Sequence, residues 1–146
     1  MNWQKVSIER LRAYESRIDA LTLIPEQIKT LEMGFSAVRA AKTDATAVRG
    51  GEGNKREDAL IDNIVMRDEL ANNLKIAERE IAITRKGLSV LTDEQRKILE
   101  MFYIDRPRGH VEALCEELFL EKSRVYALKE EALKKFTIAC YGIVEI

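Results

Sequence analysis

Residues 91–136 read LTDEQRKILEMFYIDRPRGHVEALCEELFLEKSRVYALKEEALKKF. Thr92 followed three residues later by Gln95 is a capping box, which opens a helix. That helix carries Ile98, Leu99, Phe102 and Tyr103 and closes around Ile104-Asp105-Arg106-Pro107-Arg108-Gly109, where proline and glycine interrupt it. A second helix follows over residues 111–119, with Leu114, Cys115 and Leu118 on one side. A break at Leu120 and Glu121 precedes a last helix from Lys122 to about Phe136, with Val125, Leu128 and Ala132 inward. A helix-turn-helix needs two helices packed steeply across a turn of three or four residues. The small Cys115 stands where the helices come closest, and Leu114, Leu118, Leu120, Val125 and Leu128 fill the apolar positions around it.

Upstream, Leu70, Leu74, Ala77, Ile81, Thr84, Leu88 and Leu91 alternate steps of four and three, a heptad seam. Farther back, Asn63 and Arg67 fall in seam positions while Ile61, Ile64 and Val65 supply another face. This long central helix is expected to begin near Lys55, with Asn54 as its cap and Glu57 and Asp58 in the first turn, where the helix dipole favours them. Such a stripe cannot be hidden alone; it packs on the N-terminal helices, on a second copy, or on both. In the first segment Leu11, Tyr14, Ile18, Leu21 and Ile28 keep one helical register. Pro25 is expected to break or kink it and to sit in the first turn of a second helix carrying Ile28, Leu31, Phe35 and Val38. Residues 43–54, with Gly50, Gly51 and Gly53, read as a flexible linker. A phosphate-binding loop would need a Gly-Lys-Ser/Thr ending and a preceding strand, but Lys55 is followed by Arg56 and the flanks look helical.

The chain is therefore expected to be all-α. Residues 1–90 form a helical hairpin or coiled coil with a long central helix, and residues 91–146 a helix-turn-helix domain. Composition agrees: 34% of the 146 residues are charged, 6% are aromatic and two are proline, a mix that favours long helices. No run is apolar enough to span a bilayer, and the opening Met1-Asn2-Trp3-Gln4-Lys5 lacks the pattern of a signal peptide, so a cytoplasmic protein is expected. Cys115 and Cys140 have no paired spacing and read as reduced, buried small hydrophobes. His110 is the single histidine. With no triad and no metal-ligand spacing, the expectation is a protein without catalysis, metal or cofactor.

Two stretches carry a family resemblance. Leu91-Thr92-Asp93-Glu94-Gln95-Arg96-Lys97-Ile98-Leu99-Glu100-Met101-Phe102-Tyr103 resembles the opening helix of sigma factor region 4, and Ala132-Leu133-Lys134-Lys135-Phe136 resembles the end of its recognition helix. With the glycine-rich linker and Ala139-Cys140-Tyr141-Gly142, the whole chain resembles a group of phage and prophage proteins with a helical N-terminal half and a region-4-like C-terminal domain, similar to phage late-gene transcriptional activators. The resemblance implies promoter DNA binding, with host RNA polymerase as a second partner. Two positions depart from it: Phe119 stands where region 4 usually has a turn glycine, and Glu121 where it has a serine cap.

On this reading Lys122, Ser123, Arg124, Tyr126, Ala127 and Lys129 of the last helix meet double-stranded DNA. Ser123, Tyr126 and Ala127 offer hydroxyl, ring and methyl groups to base edges. Arg106 and Arg108 in the preceding loop would meet phosphates. The bland alternative is a solvated helix face. From Leu91 onward nine Lys or Arg stand against eleven Asp or Glu, and the chain's net charge is −1. Phosphate neutralisation supplies much of DNA affinity, so one module should bind weakly, and a homodimer through the seam would join two. Glu112, Glu116 and Glu117 would offer polymerase an acidic face. The competing classes are a phage packaging or assembly protein of the small-terminase kind and a helical adaptor that binds no DNA. The apolar segment 138–146 is expected to fold back onto the bundle or onto a partner.

Overall fold

The computed structural model describes the backbone of residues 1–44 and 51–143 and the side chains of residues 1–41 and 54–143. All of its regular structure is helical: α1 (Trp3–Asp44), α2 (Gly51–Ser89), α3 (Asp93–Leu99), a π-helical turn (Glu100–Ile104), α4 (His110–Leu118) and α5 (Lys122–Tyr141). The chain packs as two units, residues 1–18 with 79–146, and residues 19–78. The boundary expected at residue 90 falls inside a packed unit, which joins 1–18 and 79–90 to the residues that follow. No helix among the described residues is long and apolar enough to cross a membrane.

In the first unit the capping box forms as read. The Gln95 amide donates to Thr92 Oγ1 (3.2 Å) and the Thr92 amide donates to Gln95 Oε1 (3.1 Å). Arg96 then closes the α2–α3 junction, donating to the Leu91 carbonyl and to the Leu88 carbonyl, which also accepts from the Leu91 amide. α3 lies between two apolar clusters. Leu99 joins Leu11, Leu88, Leu91, Ala132, Leu133 and Phe136. Ile98, the adjacent residue, joins Phe102, Val111, Leu114 and Val125. Neighbouring residues can serve two cores because the helix is enclosed on both sides; each is fully buried. The π turn follows at once, its extra residue per turn marked by the Asp105 amide donating to the Glu100 carbonyl (2.8 Å).

The start of α1 is built into this unit. Leu11 is fully buried in the first cluster. The Ser7 and Thr137 hydroxyls meet at 2.8 Å, both buried. Thr137 donates its proton to the Leu133 carbonyl (2.7 Å), so Ser7 is the donor between them. Arg10 pairs with Glu80 and donates to the Tyr141 hydroxyl (2.6 Å), and the Trp3 ring packs on Tyr141 with centroids 5.0 Å apart. α5 therefore runs on to Tyr141 instead of stopping near Phe136. Its buried stripe continues through Phe136 and Thr137, and these partners fix the added turn. Of the segment expected to fold back, residues up to Tyr141 are helix, Ile138 is exposed, and residues 144–146 lie outside the described part.

In the second unit α1 and α2 cover each other's stripes. Leu21, Ile28, Leu31, Phe35 and Val38 are half-buried, as are Leu70 and Leu74, and Ala77 is buried. The polar seam positions are also used: Asn63 donates to the Leu31 carbonyl (2.8 Å), and the Arg67 guanidinium lies 4.9 Å over the Phe35 ring. Ile61, Ile64, Val65 and Met66 remain exposed.

Three boundaries differ from the sequence reading. Pro25 lies inside α1 and does not end it. It forfeits one hydrogen bond, but it is itself exposed and the half-buried residues on both sides of it hold the helix. α2 starts at Gly51, so Asn54 is within the first turn and is not its cap. Extending an existing helix by a residue is far cheaper than nucleating one, which outweighs a glycine penalty of about 1 kcal/mol. The linker read over 43–54 accordingly loses Thr43 and Asp44 to α1 and 51–54 to α2; residues 45–50 lie outside the described part.

One close approach carries no periodic signal. A Cβ built on Gly87 would lie 2.5 Å from Cys140 Sγ and 2.7 Å from a Phe136 ring carbon, so α2 and α5 pack as near as a missing side chain allows. Gly87→Ala should lower the unfolding free energy by about 1–2 kcal/mol, since overpacking costs more than the helix-propensity gain of about 1 kcal/mol. Urea titration would measure it, and an unchanged or raised midpoint would contradict the packing. Both cysteines are free. Burial pushes the Cys140 thiol up, against the pull of Arg10. The neutral thiol is thus the favoured form: its contribution to stability is complete below the ordinary thiol range and is lost as pH rises through the raised folded value. Urea midpoints followed into the alkaline range should fall less for Cys140→Ala than for the parent chain.

Candidate nucleic-acid interface

α4 ends on a left-handed residue. Phe119 has φ 57° and ψ 45°, and its amide and that of Leu120 both donate to the Cys115 carbonyl. This six-to-one closure ordinarily uses glycine; an L side chain there costs about 1–2 kcal/mol. Phe119 is also 93% exposed. α5 then starts after Glu121, whose side chain makes no capping bond. Fully buried Leu114 and Val125 join the two helices, with Cys115, Leu118, Leu120 and Leu128 packed around them.

The first two turns of α5 hold most of the residues singled out in the sequence. Lys122, Ser123, Arg124, Tyr126 and Ala127 are all exposed. At about 100° per residue, Ser123 and Ala127 occupy the middle of the outward face. Lys122 and Tyr126 lie on one flank of it and Arg124 on the other. Exposed Glu130 and Glu131 close this surface one turn later.

Lys129 belongs elsewhere. Its side chain is 17% exposed, its ammonium pairs with Glu130 (3.0 Å), and it sits 5.3 Å from the Phe102 ring centre and 5.4 Å from that of Tyr126. An ammonium facing two rings is held by their quadrupoles and is turned away from the outward face. The Phe102 ring gathers more: His110 packs edge-on at 4.8 Å and Tyr126 at 5.7 Å. Tyr126 is thereby fixed from below while 40% exposed. The same ring joins α5 to the start of α4, next to the loop that carries Arg106 and Arg108. Both arginines are exposed. His110 is pushed below its ordinary value, by burial first and by the charge of Arg106 second. Burial likewise pushes the Tyr103 phenol up, against the pull of Lys129. In the sequence Phe102 reads only as core and His110 has no role, because aromatic contacts between separate helices leave no periodic trace.

Among the described residues Lys122, Arg124, Arg106 and Arg108 make no ion pair, whereas Lys97 is engaged by Glu117 (3.4 Å) and Arg96 by Asp93 (3.1 Å). No three His, Cys, Asp or Glu side chains among them are grouped to hold a metal. The second unit has an open groove lined by Leu23, Gln27, Thr30, Leu31, Met66 and Leu70, with Glu26 as its one charged group.

A family model described as "Protein of unknown function (DUF1492)" matches residues 37–137. The chain belongs to the DUF1492 family. The DUF1492 match begins late in α1 and extends to Thr137, so it takes in all of α2, α3 and α4, the Phe119 turn and the outward face of α5. Among curated proteins and among solved structures nothing matches the chain.

The convergence on Phe102 gives a stability prediction. Phe102→Ala should cost about 3–4 kcal/mol, as for a buried aromatic ring, and should loosen Tyr126 and His110 together. A loss under about 1 kcal/mol by chemical denaturation would mean that the ring does not tie α5 to the start of α4.

Proposed function

We propose that the chain is a DNA-binding transcription regulator of phage or prophage type, with α4, the Phe119 turn and α5 as a helix-turn-helix resembling sigma factor region 4. The observation that carries the reading is the outward face of α5. It combines Ser123, Tyr126 and Ala127, which suit base edges, with two cations free of carboxylate partners, Lys122 and Arg124. Arg106 and Arg108 would meet phosphates on the α4 side. Lys129 supports the site by bracing Tyr126 and is not among the expected contacts.

The small number of available cations limits affinity. Four phosphate contacts release about four counterions, so binding should fall with salt at a logarithmic slope no steeper than about −4 per copy. A homodimer would compensate by joining two weak modules. In the second unit the α2 seam is covered by α1, which leaves Ile61, Ile64, Val65 and Met66 as the exposed apolar face for a second copy. Host RNA polymerase is a further proposed partner, through Glu112 and Glu116. No catalytic step, metal or cofactor is part of this reading, and the cytoplasm is its proposed compartment.

Fluorescence anisotropy on promoter-region duplexes from the chain's own genome tests the assignment. Arg124→Ala and Lys122→Ala should each weaken binding by about 1–3 kcal/mol if the side chain reads a base, or reduce the salt slope by about one if it meets phosphate. Lys129→Ala should act on stability more than on the salt slope. Unchanged affinity and slope in both Lys122→Ala and Arg124→Ala would remove α5 as the recognition helix.

A further inference from the structure

Phe119 has no role in the packing of the chain. Its ring is 93% exposed and belongs to neither apolar cluster. The turn is closed by backbone donors to the Cys115 carbonyl, which glycine would provide equally well. Glycine would also relieve the φ of 57°, the only positive φ among the described non-glycine residues. A strained backbone and an exposed aromatic ring thus coincide at one residue, and a strained residue without a packing role points to a function.

Its position narrows what that function is. Phe119 lies just upstream of α5, three residues before Lys122 and four before Ser123. The free cations Lys122 and Arg124 suit a polyanion, and Glu117 on the α4 side is already engaged by Lys97. An exposed ring gains by covering apolar surface. The apolar group that duplex DNA offers in its major groove is the 5-methyl of thymine.

We propose that Phe119 is a DNA-contacting residue, its ring covering the 5-methyl group of a thymine at the edge of the sequence met by α5. This rests on the DNA-binding reading above and adds a base preference to it. Phenylalanine at the turn then exchanges some folding stability for recognition, a role that glycine could not fill.

The test uses the full chain and a duplex recovered by it from a random-sequence library. Replacing each thymine in turn by deoxyuridine removes one methyl group and leaves the protein unaltered. At one position the parent chain should lose about fourfold in affinity, the worth of one buried methyl. Phe119→Gly should bind the thymine duplex about tenfold more weakly, show no further loss with deoxyuridine at that position, and melt no lower than the parent. Phe119→Leu, which keeps an apolar side chain, should retain part of the methyl effect. If no deoxyuridine substitution matters, or its effect persists in Phe119→Gly, the inference is overturned. Should Lys122→Ala and Arg124→Ala still weaken binding in that case, the reading of α5 stands and the ring belongs to a protein partner. A library from which the full chain retains no duplex overturns both.

Discussion

Gly87 lets α2 approach α5 until Phe136 and Cys140 fill the space that a side chain would need. That contact sets the later turns of α5 against α2, and the start of α1 completes the grip. Leu11 enters the same apolar cluster, Ser7 bonds to Thr137, and Arg10 ties Glu80 to Tyr141. A helix held rigidly at one end presents its other end in a fixed orientation. Here the holding falls to residues on α1 and α2, outside residues 91–136. The module at the C-terminal end therefore owes its core to both ends of the chain.

The two parts of α5 differ in their surroundings. Its first two turns carry small polar, aromatic and basic groups on their outward face, with Val125 buried behind them; the buried face of its later turns, with Ala132, Leu133, Phe136 and Thr137, belongs to the core. The change occurs at Lys129, whose ammonium sits over Phe102 and beside Glu130. Tyr126 is held between these parts, supported by Phe102 and open to solvent. Such support keeps an aromatic ring in one rotamer and lowers the entropy lost when it meets a ligand.

Local and periodic features were legible in the sequence. The Thr92 capping box and the seams of α1 and α2 follow from spacing within a few residues, and each is found. What escaped depends on partners distant in sequence. Pro25 looks like a break because its missing amide is local, while the packing that keeps α1 continuous is not. The last helix reads as ending near Phe136 because the contact that carries it onward, Thr137 with Ser7, joins residues distant in sequence. Lys129 falls near Lys122 and Tyr126 on a helical wheel and reads as a DNA contact, yet the aromatic rings of Phe102 and Tyr126 draw it inward. Gly87 carries no signal, since a glycine within a helix has the same spacing whether or not another helix lies against it.

The central proposal is that the Phe119 turn and the outward face of the first two turns of α5 form the surface that meets DNA, while the buried face of the later turns is core. Amide chemical-shift mapping of the labelled full chain, titrated with duplex DNA at low salt, tests it most directly. The account predicts the largest shifts over residues 119–127 and near Arg106 and Arg108, with residues 132–141 little changed. Shifts centred on the exposed α2 residues 61–66, or none at all, would contradict it.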